Sequence, residues 1–144
     1  MSTEENKALV RRWFLEAWNE GNLALADEVV APDYDPHPEP TDVNFGRGPD
    51  GQKQLIAFYR AAFPDVRMEI EDMLAEDDRV VVRWRGTGTH NGELMGVAPT
   101  GRPATVTGVF INRVVNGKLV EGWTNFDALG MMMQIGAIPM PSQP

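Results

Sequence analysis

The sequence predicts an α+β domain in which helices cover one face of an antiparallel sheet. Three observations carry that prediction. Apolar residues recur with a helical period up to Pro64, with a period of two after it, and the later segments are joined by hairpin-type connections. The 144 residues are enough for one sizeable core, and no repeat or linker divides them, so residues 1–144 read as a single domain.

The first helix is announced by Ser2 and Glu5 at the spacing of a capping box. Leu9, Trp13 and Ala17 form one stripe beside Val10, Phe14 and Trp18, and Gly21 is placed to end the helix. Asn22 is positioned to cap a short second helix carrying Leu23, Ala26 and Val30. The passage "APDYDPHPEPTDVNFGRGPDG" is rich in prolines, which lack the N–H that regular ladders use, and reads as loop. A third helix starts near Pro49, repeats Leu55, Phe58, Tyr59 and Ala62, and stops before Pro64.

Val66, Met68 and Ile70 then alternate with charged residues as in a half-buried strand. The turn "EDD" leads into "RVVVRWRGTGTH", where Val80, Val82 and Trp84 share a face. A Gly/Pro-rich loop precedes "ATVTGVFINRVV", and Asn116–Gly117 is a strong hairpin signal before "KLVEGWTNF". Gly86, Gly88 and Gly108 fall inside strands, where glycine often marks a bend or bulge. A bent sheet over helices either encloses a cavity or has a filled core. "DALGMMMQIG" closes the chain as a short Met-rich helix.

Charge and composition exclude several function classes. A net charge of −8 disfavours nucleic acid and anionic membranes. The absence of cysteine removes disulfides and thiolate chemistry. The opening "MSTEENK" lacks the basic and apolar regions of a signal peptide, and no apolar run approaches the roughly 20 residues of a membrane span, so a cytoplasmic address is expected. Asp33, Asp35, His37 and Glu39 alternate like a metal-ligand string. They lack a rigid spacing motif, however, and the prolines explain them as a surface loop, so no metal site is predicted. "GTG" at Gly86–Gly88 is followed by no helix start and is not a nucleotide fingerprint.

The segments "GTHNGELMGVAPTGRPATVTG" and "NGKLVEGWTNFDALGMMMQIG", with the order of elements, resemble the SnoaL-like polyketide cyclases of the nuclear transport factor 2-like superfamily. The resemblance spans nearly the whole chain. It implies a cone of curved sheet and helices around an internal pocket, a bulky apolar polyketide-like ligand, and ring closure by intramolecular aldol chemistry without metal or organic cofactor. It also implies association into a homodimer through the outer face of the sheet. Carried onto this chain, a catalytic Asp of the family falls at Thr124, a His at Phe110, and the His of an "E-H-W" triplet at Gly122. Threonine is no carboxylate base and phenylalanine exchanges no proton, so the resemblance speaks for fold more strongly than for that mechanism.

The register of the last hairpin bears on this carry-over. A two-residue loop at Asn116–Gly117 pairs Phe110 with Trp123 and turns Thr124 to the opposite side. A three-residue loop from Val115 to Gly117 pairs Phe110 with Gly122, so that Phe110, Gly122 and Thr124 share a face and make it apolar. The implied pocket favours the three-residue loop. Val109, Ile111 and Trp123 then lie outside, where, with Met131–Met133 and "IGAIPMP", they offer apolar surface to a second copy.

The candidate catalytic residues are Asp127, at the strand end, and His90, at the end of "GTH". Each has a structural alternative: Asp127 as the cap of the last helix, His90 as a hydrogen-bonded framework residue. Tyr59, Trp84, Phe110, Asn112, Thr124 and Phe126 are the candidate ligand-binding residues, with the filled core as the alternative for the aromatics. Besides ring closure, a non-catalytic binding module remains open. So does epoxide hydrolysis, which needs Asp65, Arg83 or Arg85, and Asp127 to meet in one pocket. A small-molecule function calls for a cavity of roughly 300 Å³ or more.

Overall fold

The computed structural model describes residues 2–41 and 43–139. Helices α1 (Thr3–Glu20) and α2 (Leu25–Val29) lead into strand β1 (Val30–Pro36). Helix α3 (Gly48–Ala62) is followed by β2 (Arg67–Glu76), β3 (Arg79–Thr89), β4 (Pro103–Val115), β5 (Lys118–Phe126) and helix α4 (Ala128–Gln134). The strands form one open, five-stranded sheet in the order β1-β5-β4-β3-β2. Its pairings are antiparallel except at one edge, where β1 runs parallel to β5.

The local signals act as their chemistry dictates. The Ser2 hydroxyl accepts from the Glu5 N–H, and Gly21 ends α1 with φ +68°, a left-handed conformation that glycine adopts at little cost. Asn22 is not a side-chain cap; its carbonyl accepts from the Leu25 N–H (3.3 Å), and α2 begins only there. Val30 belongs to β1. Pro49 sits in the first turn of α3, and Phe63 ends that helix one residue before Pro64. The Asn19 side chain ties α1 to β2 by exchanging two hydrogen bonds with the Met68 backbone (3.0 and 2.7 Å).

The proline-rich passage contains a strand that the prolines conceal. β1 is an edge strand, so Pro32 and Pro36 can occupy it without breaking a ladder on both sides. The sheet is therefore mixed rather than wholly antiparallel. Gly86, Gly88 and Gly108 mark no bulge, since β3 and β4 pair without interruption from Arg79–Arg113 to Thr89–Pro103. Their missing side chains make room: a Cβ at Gly86 would strike Met68, at Gly88 Phe63, and at Gly108 the Trp84 ring. The register shifts fall elsewhere, at Glu71 in β2, at Val120 in β5 and between Val30 and Asp35 in β1.

The main core lies between the helices and the inner face of the sheet. Val10, Trp13, Phe14 and Ala17 of α1 and Ile56 of α3 meet Val80, Val82, Trp84, Phe110, Val114 and Leu119. A second cluster joins Tyr59, Ala62 and Phe63 to Leu94, Ala104, Met131 and Ile135. Met131 and Ile135 are thus core rather than docking surface, while Met140 and Pro141 of the "IGAIPMP" segment lie outside the described residues. The outer face carries ion pairs, Arg83–Asp72 (2.6 Å), Arg85–Glu69 (3.1 Å) and Arg113–Glu121 (3.2 Å). Among the described residues, no helix is long and apolar enough to cross a membrane.

Candidate functional site

The last hairpin sets the inner wall. Its turn is Asn116–Gly117, both with positive φ (50° and 74°), and Val115 pairs with Lys118. The loop is therefore the two-residue one, contrary to the three-residue loop that the pocket favoured. One extra residue in β5, Val120, corrects the parity: Arg113 pairs with Glu121, Asn112 with Gly122 and Phe110 with Thr124. Phe110, Asn112, Gly122 and Thr124 consequently share the inner face, and Val109, Ile111 and Trp123 the outer one. Trp123 is partly covered within the chain, stacked by His37 (4.7 Å between rings) and faced by Arg79 (5.3 Å).

Three cavities adjoin one another, the first two between this wall and the helices. The first, about 90 Å³, is lined by Trp18, Tyr59, Met68, Trp84, Thr124 and Phe126 among others. The second, about 70 Å³, continues past Phe14, Tyr34, Phe110 and Asn112. The third, about 170 Å³, opens under the loop after β1, beside His37, Phe45 and Gln52. Glu39 and Leu55 line all three. No single compartment reaches the roughly 300 Å³ of a typical ligand site. The first two share Trp18, Met68, Trp84 and Thr124, and the rings around the first pack closely, with Trp18–Tyr59, Tyr59–Phe126 and Trp84–Phe126 centroids 6.2, 6.2 and 6.4 Å apart.

All six candidate ligand-binding residues, Tyr59, Trp84, Phe110, Asn112, Thr124 and Phe126, line the first or second cavity. The Asn112 carbonyl accepts a hydrogen bond from the Tyr34 hydroxyl (3.0 Å), and burial pushes that phenol up. This pair occupies the space over Gly122, where a Cβ would strike the Tyr34 oxygen. The loss of a side chain at position 122 therefore admits a phenol instead of making the wall more apolar.

The two candidate catalytic residues stand elsewhere. Asp127 is exposed and caps α4, its carboxylate accepting from the Gly130 N–H (2.8 Å), while its own N–H extends the sheet to the Thr107 carbonyl (3.0 Å). His90 is fully buried against Phe63 and lines none of these cavities. Its Nδ1 accepts from the Thr100 N–H (3.3 Å) and contacts the Thr100 hydroxyl (2.9 Å), while Nε2 is buried without a hydrogen-bond partner among the described residues. Backbone bonds from His90 to Thr100, Gly101 and Arg102 complete its role as the hub of the loop before β4. Asp65 accepts from the Thr89 N–H and hydroxyl (2.7 and 2.8 Å), and those bonds hold its carboxyl below the usual range. Arg83 and Arg85 are engaged on the outer face, so the three groups needed for epoxide hydrolysis do not meet.

The alternating string on β1 resolves into two environments. Asp35 and His37 approach Glu121, with ligand atoms within 4.8 Å of one another. Internal bonds already engage them: His37 Nε2 lies 2.8 Å from Glu121, and Asp35 lies 3.6 Å from Arg47. Glu39 turns inward, contrary to its reading as surface loop. Burial pushes its carboxyl up to about 7. The sequence marks Glu39 only as the last member of a metal-like string on a surface loop; its flanking prolines, Pro38 and Pro40, were the available signal of a rigid placement. Tyr59 lines the first cavity, and its buried hydroxyl, like that of Thr41 beside it, makes no hydrogen bond of normal geometry among the described residues. Burial pushes the phenol up to about 12, the Thr41 hydroxyl opposing and the Glu39 carboxylate adding to the rise.

Comparison with known proteins agrees with this architecture. The chain is 29% identical over 126 residues to nogalonic acid methyl ester cyclase of Streptomyces nogalater, covering 85% of this chain and 91% of that one. It is 29% identical over 133 residues to aklanonic acid methyl ester cyclase of Streptomyces galilaeus, covering 92% and 91%. Among solved structures, AclR of Streptomyces galilaeus, provisionally described as a hydroxylase, superposes with a TM-score of 0.85 at 32% identity, covering 99% of this chain and 87% of that one. A protein of Acidithiobacillus ferrooxidans, provisionally described as a polyketide cyclase, gives 0.82 at 31%, covering 94% and 97%. The family model for SnoaL-like polyketide cyclase matches residues 8–135, and the chain belongs to that family.

Proposed function

We propose that this protein closes a ring in a bulky, largely apolar polyketide-like molecule by intramolecular aldol chemistry, using its own side chains as acid and base. The observation that carries the reading is the set of aromatic-lined cavities under α1 and α3, which contain one carboxylate on an otherwise mostly apolar wall. Both curated relatives are named as cyclases of acid methyl esters. A bulky substrate spans more than one compartment, so binding requires side chains shared by the first two, such as Trp18 and Trp84, to move apart. The reading includes a cytoplasmic address and a homodimer formed through Val109, Ile111 and Trp123.

Nogalonic acid methyl ester and aklanonic acid methyl ester are the first substrates to test. Ring closure yields an isomer of unchanged mass that has lost one ketone carbon signal. A gain of one oxygen would instead favour hydroxylation, the activity for which the similar AclR is named. Binding without conversion, read as quenching of Trp18 and Trp84 fluorescence, would favour a binding module. If neither ester binds or reacts, the polyketide reading fails.

A further inference from the structure

Catalysis of an aldol closure needs a group that removes a proton from carbon and returns it to oxygen, and it must reach the substrate. Among the described lining residues, Glu39 is the only carboxylate in any of the three cavities, and it borders all of them. Pro40 keeps its backbone out of the helical region, and Pro38 fixes the residue before it, so the loop presents the side chain from a stiff frame. The nearby polar groups are committed to other partners. Arg47 pairs with Asp35 (3.6 Å), His37 with Glu121 (2.8 Å), and the Tyr34 hydroxyl with Asn112 (3.0 Å). Tyr59 lines the first cavity, and its buried hydroxyl has only the Thr41 hydroxyl beside it. Neither hydroxyl has a hydrogen bond of normal geometry, which is costly for buried groups, and a substrate oxygen would relieve that cost.

We propose that Glu39 is the acid–base catalytic residue of this site and that the Tyr59 phenol is the hydrogen-bond donor to the substrate oxygen that gains charge. The proposal rests on the ring-closure reading and places the proton carrier on the loop after β1, away from the β5 position held by Thr124. The Glu39 carboxylate takes the proton from a carbon next to a carbonyl, and Tyr59 stabilises the resulting enolate oxygen. The enolate carbon then bonds to a second carbonyl carbon of the same molecule, whose π electrons move to its oxygen. That oxygen takes the proton back from the Glu39 carboxyl. The product is an isomer of the substrate, and nothing is oxidised or reduced. With its carboxyl pushed up to about 7, Glu39 holds both protonation forms at neutral pH, as this shuttle requires. The titratable groups around it are the phenols of Tyr34 and Tyr59, the Asp35 and Glu121 carboxylates that act on Tyr34 together with Glu39, and the His37 ring beside the third cavity.

Two assays on the whole protein separate this assignment from the ring-closure reading. The first follows exchange of the α protons of 2-tetralone, a compact apolar ketone, for deuterium in D2O by proton NMR. The second follows closure of the two methyl esters. Wild type should accelerate tetralone exchange, with a kcat/KM inflection near pH 7. Glu39→Gln should lose about 10²–10⁴-fold of kcat with little change in KM. Tyr59→Phe should lose less and keep the inflection. If Glu39→Gln does not fold, Glu39→Asp decides, because its inflection moves only if residue 39 carries the proton. Exchange without closure of either ester would sink the ring-closure reading and leave Glu39 as the base. Closure by wild type and folded Glu39→Gln at equal rates overturns the Glu39 assignment and leaves the cyclase reading standing. Absence of any acceleration by wild type in both assays overturns both.

Discussion

Asp127 and Glu39 are carboxylates of the same chain placed in opposite circumstances. Asp127 ends a strand and begins a helix, and Gly130, which has no side chain to crowd it, leaves its carboxylate lying over the helix start. A cap of this kind contributes about 0.5–2 kcal/mol, and asparagine serves nearly as well. Asp127→Asn should therefore leave both melting temperature and turnover unchanged, while Asp127→Ala should lower stability by about 0.5–2 kcal/mol in denaturant titration. Loss of turnover in folded Asp127→Asn would show that the cap is also a proton carrier. Glu39 predicts a pH effect. Its folded carboxyl titrates near 7, above the ordinary 4.5, so the folded state binds the proton more tightly than the unfolded chain. Stability from this group is fully present below about pH 4.5 and declines as pH rises toward about 7, by on the order of 1–3 kcal/mol. Glu39→Gln should flatten that part of the stability–pH curve; an unchanged curve would mean that Glu39 is well solvated. The sequence disclosed the Asp127 cap because capping is local chemistry. It hid Glu39, because inward orientation of a loop side chain depends on Leu55 and Tyr59 of a helix that packs over it later in the chain.

The hairpin shows how a correct face can follow from an incorrect register. Asn116–Gly117 was legible because both turn residues favour positive φ. Val120 was not, since one inserted residue without glycine or proline looks like ordinary strand, and the inner placement of Phe110 and Thr124 depends on it. Strand β1 was hidden for a related reason. Its prolines argue against a ladder, and parallel pairing with β5 joins segments some 90 residues apart, beyond any local pattern. The two strands meet closely at Gly122, where His37 donates its N–H to the Gly122 carbonyl (3.0 Å) and Tyr34 lies over the missing side chain. Gly122→Ala should push the phenol away, break its bond to Asn112 and cost on the order of 1–3 kcal/mol in thermal or denaturant unfolding. A Gly122→Ala protein as stable as wild type, with the Tyr34–Asn112 bond retained, would show that the edge strand yields easily.

Fold class, helix order and the two faces of the sheet were legible throughout, because burying one face of a sheet under helices imposes periodicities that composition cannot mask. How the interior is subdivided was not legible, since that depends on how shared lining side chains such as Trp18, Met68 and Trp84 pack rather than on which residues point inward. Association of two copies draws on the other face. Val109 is 37% exposed near the middle of the sheet's outer surface, with Ile111 next to it on β4 and Val81 paired across from Ile111 on β3. Arg83 and Arg85 flank this strip, but their charges are balanced by Asp72, Glu69 and Glu71, so a second copy would meet neutralised pairs there. Trp123 contributes less than its size indicates, because His37 and Arg79 cover its ring. Opposing the contact is the net charge of −8 on each copy. Light scattering at micromolar concentration should give about twice the 16.0 kDa of one chain, with association tightening between low salt and about 0.15 M as repulsion is screened. Val109→Asp places a charge in the centre of the strip without entering the core, and should yield a folded monomer of unchanged melting cooperativity. A wild-type protein that stays monomeric at every concentration and salt would assign this face to solvent. Dimers that survive Val109→Asp would place the interface elsewhere, and exposed Leu74 on the edge strand β2 would then be the next position to charge.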